Sequence, residues 1–386
     1  MKISSKVFII CPFTAPNQGG VESHIQKLLK FLSKKKTKAI VVSYTPLTTP
    51  VKAAWYEKRE NYEIYRMPWF GNGWFPKIEH NPILTSLYLV PGLLALSLYV
   101  GLRRQKEISV IHSHGFAAGL VGAFLGLFIN KRKVISTHAI YDFENRPLLA
   151  KIIKTILSHY DFILAVGEPS RQELTKIGLP ATKIEVHPNW VDTDFFHPTG
   201  KKEPSKQLTA LFVGRGLEKK GIFLFGELAQ KNPGMNFIAR VAEGPDRNLF
   251  IKKYSLLKNL DIRTTLPQDF DQKMKIIRDE YRSADVFIMP SLYSEGFAAV
   301  VLEAASSGLA IISSNLGTLP SILAGSGAFL IAPTVANFSR ELRGSSRDKK
   351  KLKELKNKSR AFALKNYSDD NAQIIYKSYQ IKTRVS

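Results

Sequence analysis

Runs of uninterrupted apolar, β-branched residues, alternating with stretches of helical periodicity, occur in two successive series along this chain. In the first, "KVFIICPF" leads into "GGVESHIQKLLKFLSK". "KAIVVSYT", "ISVIHSHG", "KVISTHA" and "DFILAVG" follow, with the apolar helix "AAGLVGAFLGLFIN" among them. A strand that is apolar at every position must be covered on both faces, which is the signature of a parallel sheet with helices on either side. Near residue 187 the character changes. "HPNWVDTDFFHPTGKKEPSKQ" carries three prolines, an aromatic pair and a charged tract, and reads as an interdomain connection. The second series runs through "LTALFVGRG", a helix from Ile222, "NFIARVAEG", a helix over about 246–259, "ADVFIMPS", the helix of "FAAVVLEAASSG" and "AIISS". The expected fold is therefore α/β, with two doubly wound, Rossmann-like parallel-sheet domains facing a central cleft. The first domain spans 1–187, the linker 188–205 and the second domain 206–365. A closing helix in 366–386 packs back toward the first domain. Ligands of such sheets bind beyond the carboxyl ends of the strands.

The 386 residues suit two domains, and 44% apolar with 23% charged residues exclude a disordered chain. Cys11 is the only cysteine, which rules out an internal disulfide and speaks against a cysteine-based zinc site. A reducing, cytoplasmic location fits. The net charge is +24, from 25 basic and 12 acidic residues in 1–187 and 31 and 20 in the remainder. An excess spread over both halves is not a tail. It favours anionic partners (nucleic acid, anionic lipid, phosphorylated small molecules), and it equally suits a plain lysine-rich surface. "KVFIICPF" is too short for a signal peptide. "ILTSLYLVPGLLALSLYVGL", residues 83–102, is uncharged and long enough to span a bilayer. Pro91-Gly92 is expected to break it in the middle, and "RRQK" follows. Three readings stand: a span, a lipid-facing monotopic helix, and a buried or amphipathic helix hairpin.

Several motifs sit where strands end. "FVGRGLEKKG" puts Arg215 and Lys220 at a strand's end, where a forked guanidinium and an ammonium suit a diphosphate. The pair reads equally as two surface cations. "NQGGVES" puts Gly19 and Gly20 before a helix, where a backbone can approach an anion, or where a tight turn is all that is needed. It is neither G-x-G-x-x-G nor a P-loop. His138 ends the strand of "ISTHAI" and reads first as a structural histidine. His112 and His114 form a His-x-His pair on one strand face. No acidic residue or third histidine lies nearby in sequence, so no metal is expected there. "DTD" at 192–194 lies in the linker and is set aside as a metal motif. In "SEGFAAVVLEAASSG", a helix starting near Phe297 leaves the amides of Gly296, Phe297 and Ala298 as donors for a phosphate or sugar oxygen. Glu295 precedes that helix and Glu303 lies two turns in. Carboxylates beside a diphosphate repel it, so both glutamates suit the hydroxyl-bearing ends of a ligand.

Taken together, "GGVES", "VIHSHG", "STHA", "NWVDTDFFHP", "FVGRGLEKKG", "SLYSEGFAAVVLEAASSG" and "FALKNYSDDNAQIIYKSY" resemble, in that order, a retaining glycosyltransferase of the GT-B fold, family 4 (group 1). The seven cover nearly the whole chain, and the E-x7-E spacing from Glu295 to Glu303 is the most specific. The resemblance implies that Arg215 and Lys220 neutralise the donor diphosphate, with Gly19 and Gly20 bordering it. It implies that Glu303 holds the ribose, that Glu295 contacts the transferred sugar, and that His138 lies near the anomeric centre. It further implies transfer of a hexose from a nucleotide-sugar to a glycan or lipid-linked acceptor, with retention and with no metal or other cofactor. The setting it fits is the cytoplasm or the cytoplasmic face of an anionic membrane. Two motifs depart from the family pattern. "NLGTLPSIL" carries one glycine and Ser321 where a glycine pair and an acid are usual, and "AEGPD" replaces Gly-Asp-Gly-Pro. The competing readings are a nucleotide-sugar epimerase of the same fold and a non-catalytic nucleic-acid binder. Against the second, basic and aromatic residues do not interleave in any one element.

Overall fold

The computed structural model describes residues 5–17, 20–49, 51–71, 74–78, 81–138, 143–199, 207–267, 269–293 and 298–380. The chain forms two compact units, Met1–Asn189 with Asp370–Ser386, and Trp190–Asp369.

In the first unit the strands are β1 (Lys6–Ile10), β2 (Lys38–Tyr44), β3 (Tyr56–Lys58), β4 (Tyr62–Met67), β5 (Ile108–His114), β6 (Arg132–Ser136), β7 (Phe162–Ala165) and β8 (Ile184–Val186). They lie in the order β3-β4-β2-β1-β5-β6-β7-β8. Every neighbouring pair is parallel except β3 with β4. The β3–β4 hairpin is absent from the sequence reading, because "YEKRENYEIYRM" mixes aromatic and charged residues and carries no continuous apolar run.

The second unit holds β9 (Thr209–Arg215), β10 (Asn236–Ala242), β11 (Leu260–Arg263), β12 (Val286–Met289), β13 (Ala310–Ser314) and β14 (Phe329–Ile331). Their order is β11-β10-β9-β12-β13-β14, parallel throughout. Alternate residues of β9 serve opposite cores. Leu211 and Val213 pack with Tyr281, Val301 and Leu302, while Ala210 and Phe212 pack with Phe225, Leu228 and Phe250. Both faces are therefore dry, as a continuously apolar strand requires.

Residues 190–199, read above as part of a linker, are instead a packed part of the second unit. Trp190, Val191 and Phe196 are buried, and Val191 N donates to Tyr367 O at 2.9 Å. Arg360 Nη1 donates to the carbonyls of Thr193, Phe196 and Ser306 at 3.2, 3.0 and 2.7 Å. The closing helix, Asp369–Gln380, belongs from Asp370 onward to the first unit. There the Tyr379 hydroxyl lies 2.7 Å from His112 Nδ1, and Asn371 Nδ2 donates to Asn189 O at 3.3 Å.

The apolar segment is one helix, Pro82–Arg104, and not the hairpin that Pro91-Gly92 suggested. The reason lies in another element. Proline removes one helical donor and crowds the preceding turn. At this point the Tyr44 hydroxyl from β2 enters the ladder: it donates to Leu89 O at 2.5 Å and accepts from Leu93 N at 2.7 Å, bridging two groups that are i, i+4 partners. Trp69 Nε1 donates to Tyr88 O at 3.0 Å. Gly92 makes this approach possible, because a Cβ there would lie 2.5 Å from the Trp69 ring and 2.9 Å from the Tyr44 hydroxyl. The inner face of the helix, including Leu89, Leu93 and Val100, is buried in the first unit, while Ile83, Leu84, Leu87, Tyr99 and Leu102 face outward.

The far end of this helix is tied down by charge. Arg104 bonds Glu63 (Nη1 to Oε2, 3.1 Å) and Glu107 (Nη2 to Oε2, 2.9 Å), and Lys6 Nζ lies 2.7 Å from Glu63 and 2.9 Å from Glu107. Hydrogen bonds from Arg104, then from Lys6, hold both carboxyl pKa values down at about 2.

Two expectations follow. Tyr44→Phe strands Leu89 O and Leu93 N, at a cost of about 1–3 kcal/mol. Denaturant unfolding should show that loss, and adding Pro91→Ala should recover part of it by letting the helix close its own ladder. Glu63 and Glu107 have folded pKa values below their unfolded ones. Their contribution to stability is thus complete above about pH 4.5 and is lost as pH falls toward 2. Glu63→Gln should lower stability at neutral pH and flatten the dependence between pH 5 and 3 in the same measurement.

Candidate functional site

In the second unit the strand order reverses at β9. The β9–β12 ladder holds for two residue pairs only, Val286↔Ala210 and Phe287↔Leu211, after which the strands part. Such a switch point opens a crevice at the carboxyl ends of the strands. Arg215 is the last residue of β9. It is exposed, and its guanidinium has no hydrogen bond or ion pair among the described residues. Lys220 closes the 3₁₀ turn Glu218–Lys220. Its Nζ and that of Lys219 lie 5.2 and 5.0 Å from the centre of the Tyr293 ring, which belongs to the loop after β12.

Three loops interlock at this edge. Leu292 N donates to Lys219 O at 2.9 Å. Gly221 has φ 78°, and a Cβ on it would lie 2.0 Å from Pro290 O, so only glycine fits. Gly244 presses on Gly216 in the same way: its added Cβ would lie 2.3 Å from Gly216 O. Asp246 completes the junction, with Glu218 N donating to its Oδ2 at 2.8 Å. The "AEGPD" departure is accommodated here, because Glu243 points to solvent and pairs with Arg247 at 2.5 Å. In "NLGTLPSIL", Ser321 is exposed and only caps its own turn, donating to Thr318 O at 2.8 Å.

Glu303 sits on the helix Ala299–Ser306, 8% exposed, and accepts from the Tyr281 hydroxyl at 3.1 Å. Burial and the Glu303 charge push the Tyr281 pKa well up, so the hydroxyl stays a donor. The helix begins two residues later than the sequence suggested. Ala298 is its buried N-cap, and Val301 N already bonds back to Ala298 O at 3.1 Å. Glu295, Gly296 and Phe297 lie outside the described residues, as does Gly19.

The first unit reverses at β1, between β2 and β5. Gly20 is the first residue of the helix Gly20–Lys34, with open space where a Cβ would project. Two residues on, Glu22 is 8% exposed, and burial raises its carboxyl pKa. Sequence reasoning passed over it. It passed over His24 too, which meets His114 and His138 at ring-centre distances of 5.4 and 4.8 Å. His114 Nδ1 and His138 Nε2 are 3.1 Å apart, and His24 Nδ1 is 3.2 Å from Asn189 Oδ1. His187 is a further neighbour, 5.8 Å from His24. Burial keeps these rings neutral: the pKa of His138 falls to about 4 and that of His187 to about 3, and those of His24 and His114 lie well below the usual value. His112 is structural. Its Nδ1 meets Tyr379 and its Nε2 lies 2.9 Å from Ser136 Oγ. No third histidine lies near the His-x-His pair in sequence, but in space His24 and His138 lie beside His114. The missing partners lie on other elements, and only the fold brings them in.

The model of the family described as Glycosyltransferase Family 4 matches residues 18–195, and that of Glycosyl transferases group 1 matches residues 195–362. The chain is similar to a subunit of human phosphatidylinositol N-acetylglucosaminyltransferase, with 27% identity over 350 residues. That alignment covers 86% of this chain and 66% of the human protein, so the chain spans just under two thirds of that relative. It is similar also to UDP-Gal:alpha-D-GlcNAc-diphosphoundecaprenol alpha-1,3-galactosyltransferase of Escherichia coli, with 25% identity over 247 residues, 57% of this chain and 61% of that one. Among solved structures, sucrose-phosphate synthase from Thermosynechococcus elongatus aligns with a TM-score of 0.74 at 15% identity, covering 97% of this chain and 98% of that one. Anabaena HepE in complex with UDP aligns with a TM-score of 0.68 at 15% identity, covering 97% and 100%. At these identities the structures speak for the shared fold alone.

Proposed function

We propose, from the premise that this chain belongs to the family 4, group 1 glycosyltransferases of the GT-B fold, that it moves a hexose from a nucleotide-diphosphate sugar to an acceptor hydroxyl. The observation that carries this reading is the β9–β12 switch point. An exposed guanidinium with no side-chain partner among the described residues, Arg215, and the Lys220 ammonium stand at its edge. A buried carboxylate, Glu303, lies on the next helix. Cations suit a diphosphate. A carboxylate held by a neutral tyrosine suits the paired hydroxyls of a ribose.

Departure of a nucleoside diphosphate leaves charge on its β-phosphate and an oxocarbenium-like sugar. Fixed cations stabilise that charge more in the transition state than in the ground state. Arg215 and Lys220 would supply this stabilisation without a metal ion. Gly19 and Gly20 would border the same phosphates. Glu295 would meet hydroxyls of the transferred sugar, with amides of Gly296, Phe297 and Ala298 beside it. His138, neutral at physiological pH, is suited to a hydrogen bond with that sugar and not to donating a proton. Transfer with retention then has a base at hand in the departing phosphate itself, acting on the acceptor hydroxyl from the same face.

The acceptor we infer is lipid-linked, taken up at the cytoplasmic face of a membrane. Two relatives carry names that point this way, one with phosphatidylinositol and one with a diphosphoundecaprenol substrate. The first unit offers a matching surface. The helix Pro82–Arg104 turns Ile83, Leu84, Leu87, Tyr99 and Leu102 outward. A groove of about 370 Å³ joins its start to the helix Pro147–Ser158 through Ile83, Leu148 and Ile152, with Arg146 at the edge. Exposed Lys151 and Lys154 add positive charge. This arrangement fits a helix lying in the interface, because its inner face is held in the unit's core and is not free to turn to lipid.

Arg215→Ala and Lys220→Ala should each cut transfer by about 10²–10³-fold with an unchanged circular dichroism spectrum. Glu303→Gln should raise the donor KM more than it lowers kcat. A double Arg215/Lys220 variant working at the wild-type rate rules the proposal out. In flotation with vesicles containing phosphatidylserine, wild-type protein should bind at low salt. Leu84→Asp with Leu87→Asp should abolish binding while leaving transfer to a soluble acceptor analogue intact. Equal flotation of both proteins rejects the membrane face.

A further inference from the structure

The histidines gathered in the first unit form more than a packed core. His24, His114 and His138 each place one ring nitrogen within 4.8 Å of the other two. They come from three elements: the first turns of the helix Gly20–Lys34, the end of β5, and the residue two beyond β6. Their ring centres form a triangle with sides of 4.8, 5.4 and 5.4 Å. Three imidazoles bound tetrahedrally to one ion, each nitrogen about 2.0–2.1 Å from it, have ring centres roughly 5 Å apart. The triangle already has that size, and His114 Nδ1 and His138 Nε2 are already 3.1 Å apart.

Two further features suit an ion. His24 Nδ1 faces the Asn189 side-chain oxygen at 3.2 Å, the outer partner that fixes the tautomer of a ligating histidine and leaves its other nitrogen as the ligand. His114 is 2% exposed, its Nδ1 faces His138 Nε2, and its Nε2 has no hydrogen-bond partner among the described residues. The half-buried His138 gives the cluster its opening to solvent.

We propose that His24, His114 and His138 make a three-histidine site for a borderline-soft divalent cation of the zinc class. A solvent molecule would complete the coordination on the His138 side. All-nitrogen donor sets select such ions over magnesium or calcium, which take oxygen. The site shares His138 with the transfer proposed above, in which no ion takes part, but the inference rests on the histidine geometry and not on that reading. Its structural effect is to clamp the first helix to the ends of β5 and β6.

Cobalt(II) is the probe, because tetrahedral coordination gives it visible absorption. Tag-free, chelator-treated protein should take up one equivalent of Co²⁺ with such a spectrum, Zn²⁺ should displace it, and Mg²⁺ should not. His24→Ala and His114→Ala should each abolish the spectrum, and His159→Ala, at an exposed position, should leave it unchanged. A parallel measurement needs no variant: Zn²⁺ should shift the side-chain resonances of three histidines in the intact protein. Absence of cobalt absorption in the wild type, retention of it in the His24 and His114 variants, or zinc shifts confined to exposed histidines would overturn the assignment.

Discussion

The reversal of strand order about a central strand is the constraint from which the rest of each unit follows. Crossovers between parallel strands are right-handed, so helices reached by moving one way along the sheet lie on one face and those reached the other way lie on the opposite face. The loops on the two sides of the reversal are thereby drawn apart. In the second unit this is visible as a β9–β12 ladder that lasts for two pairs. The parted loops would be loose were it not for close backbone approach. Gly221 against Pro290 and Gly244 against Gly216 leave no room for even a methyl group, and the loops that present Arg215, Lys220 and Tyr293 are locked as one rim. A rim whose backbone is held in this way would suit the electrostatic role proposed for Arg215 and Lys220.

Much of this was legible in the sequence because it is local. A strand apolar at each position reports two covered faces. Arg215 falls at the end of its strand and Glu303 on its helix, as the local pattern implies. What was not legible is what one element does to another. Pro91-Gly92 signals a break when read alone, and the helix runs on because a hydroxyl from β2 replaces a bond of its ladder. The prolines of 188–204 signal a connection, yet Trp190, Val191 and Phe196 are core residues held by Arg360. His24 and His114 are ninety positions apart in sequence, and no spacing rule joins them. The one available hint was a His on the buried stripe of an amphipathic helix, beside Ile25 and Leu28.

The two units handle buried polarity differently. The first collects neutral imidazoles, whose pKa values are driven down by burial. The second buries a charge pair, Arg240 of β10 with Glu280 of the helix Phe270–Ser283, completed by Arg263 and by Thr265 O at 2.8 Å from Arg240. Such a pair contributes little net stability compared with apolar residues of the same volume, but it is costly to break, because losing one partner leaves a buried charge uncompensated.

The closing helix has a consequence for how the molecule is made. His112 waits for a hydroxyl that lies 267 residues further along the chain. At about 5–20 residues per second of synthesis, that interval is roughly 13–53 s. For that time the first unit exists without its last helix. The surface that will meet Ala372 and Ile375 is uncovered, and the whole second unit emerges and folds before the first can be finished. The unit that is begun first is therefore the one completed last, and a nascent chain stalled anywhere in the second unit presents an apolar seam for a chaperone to cover.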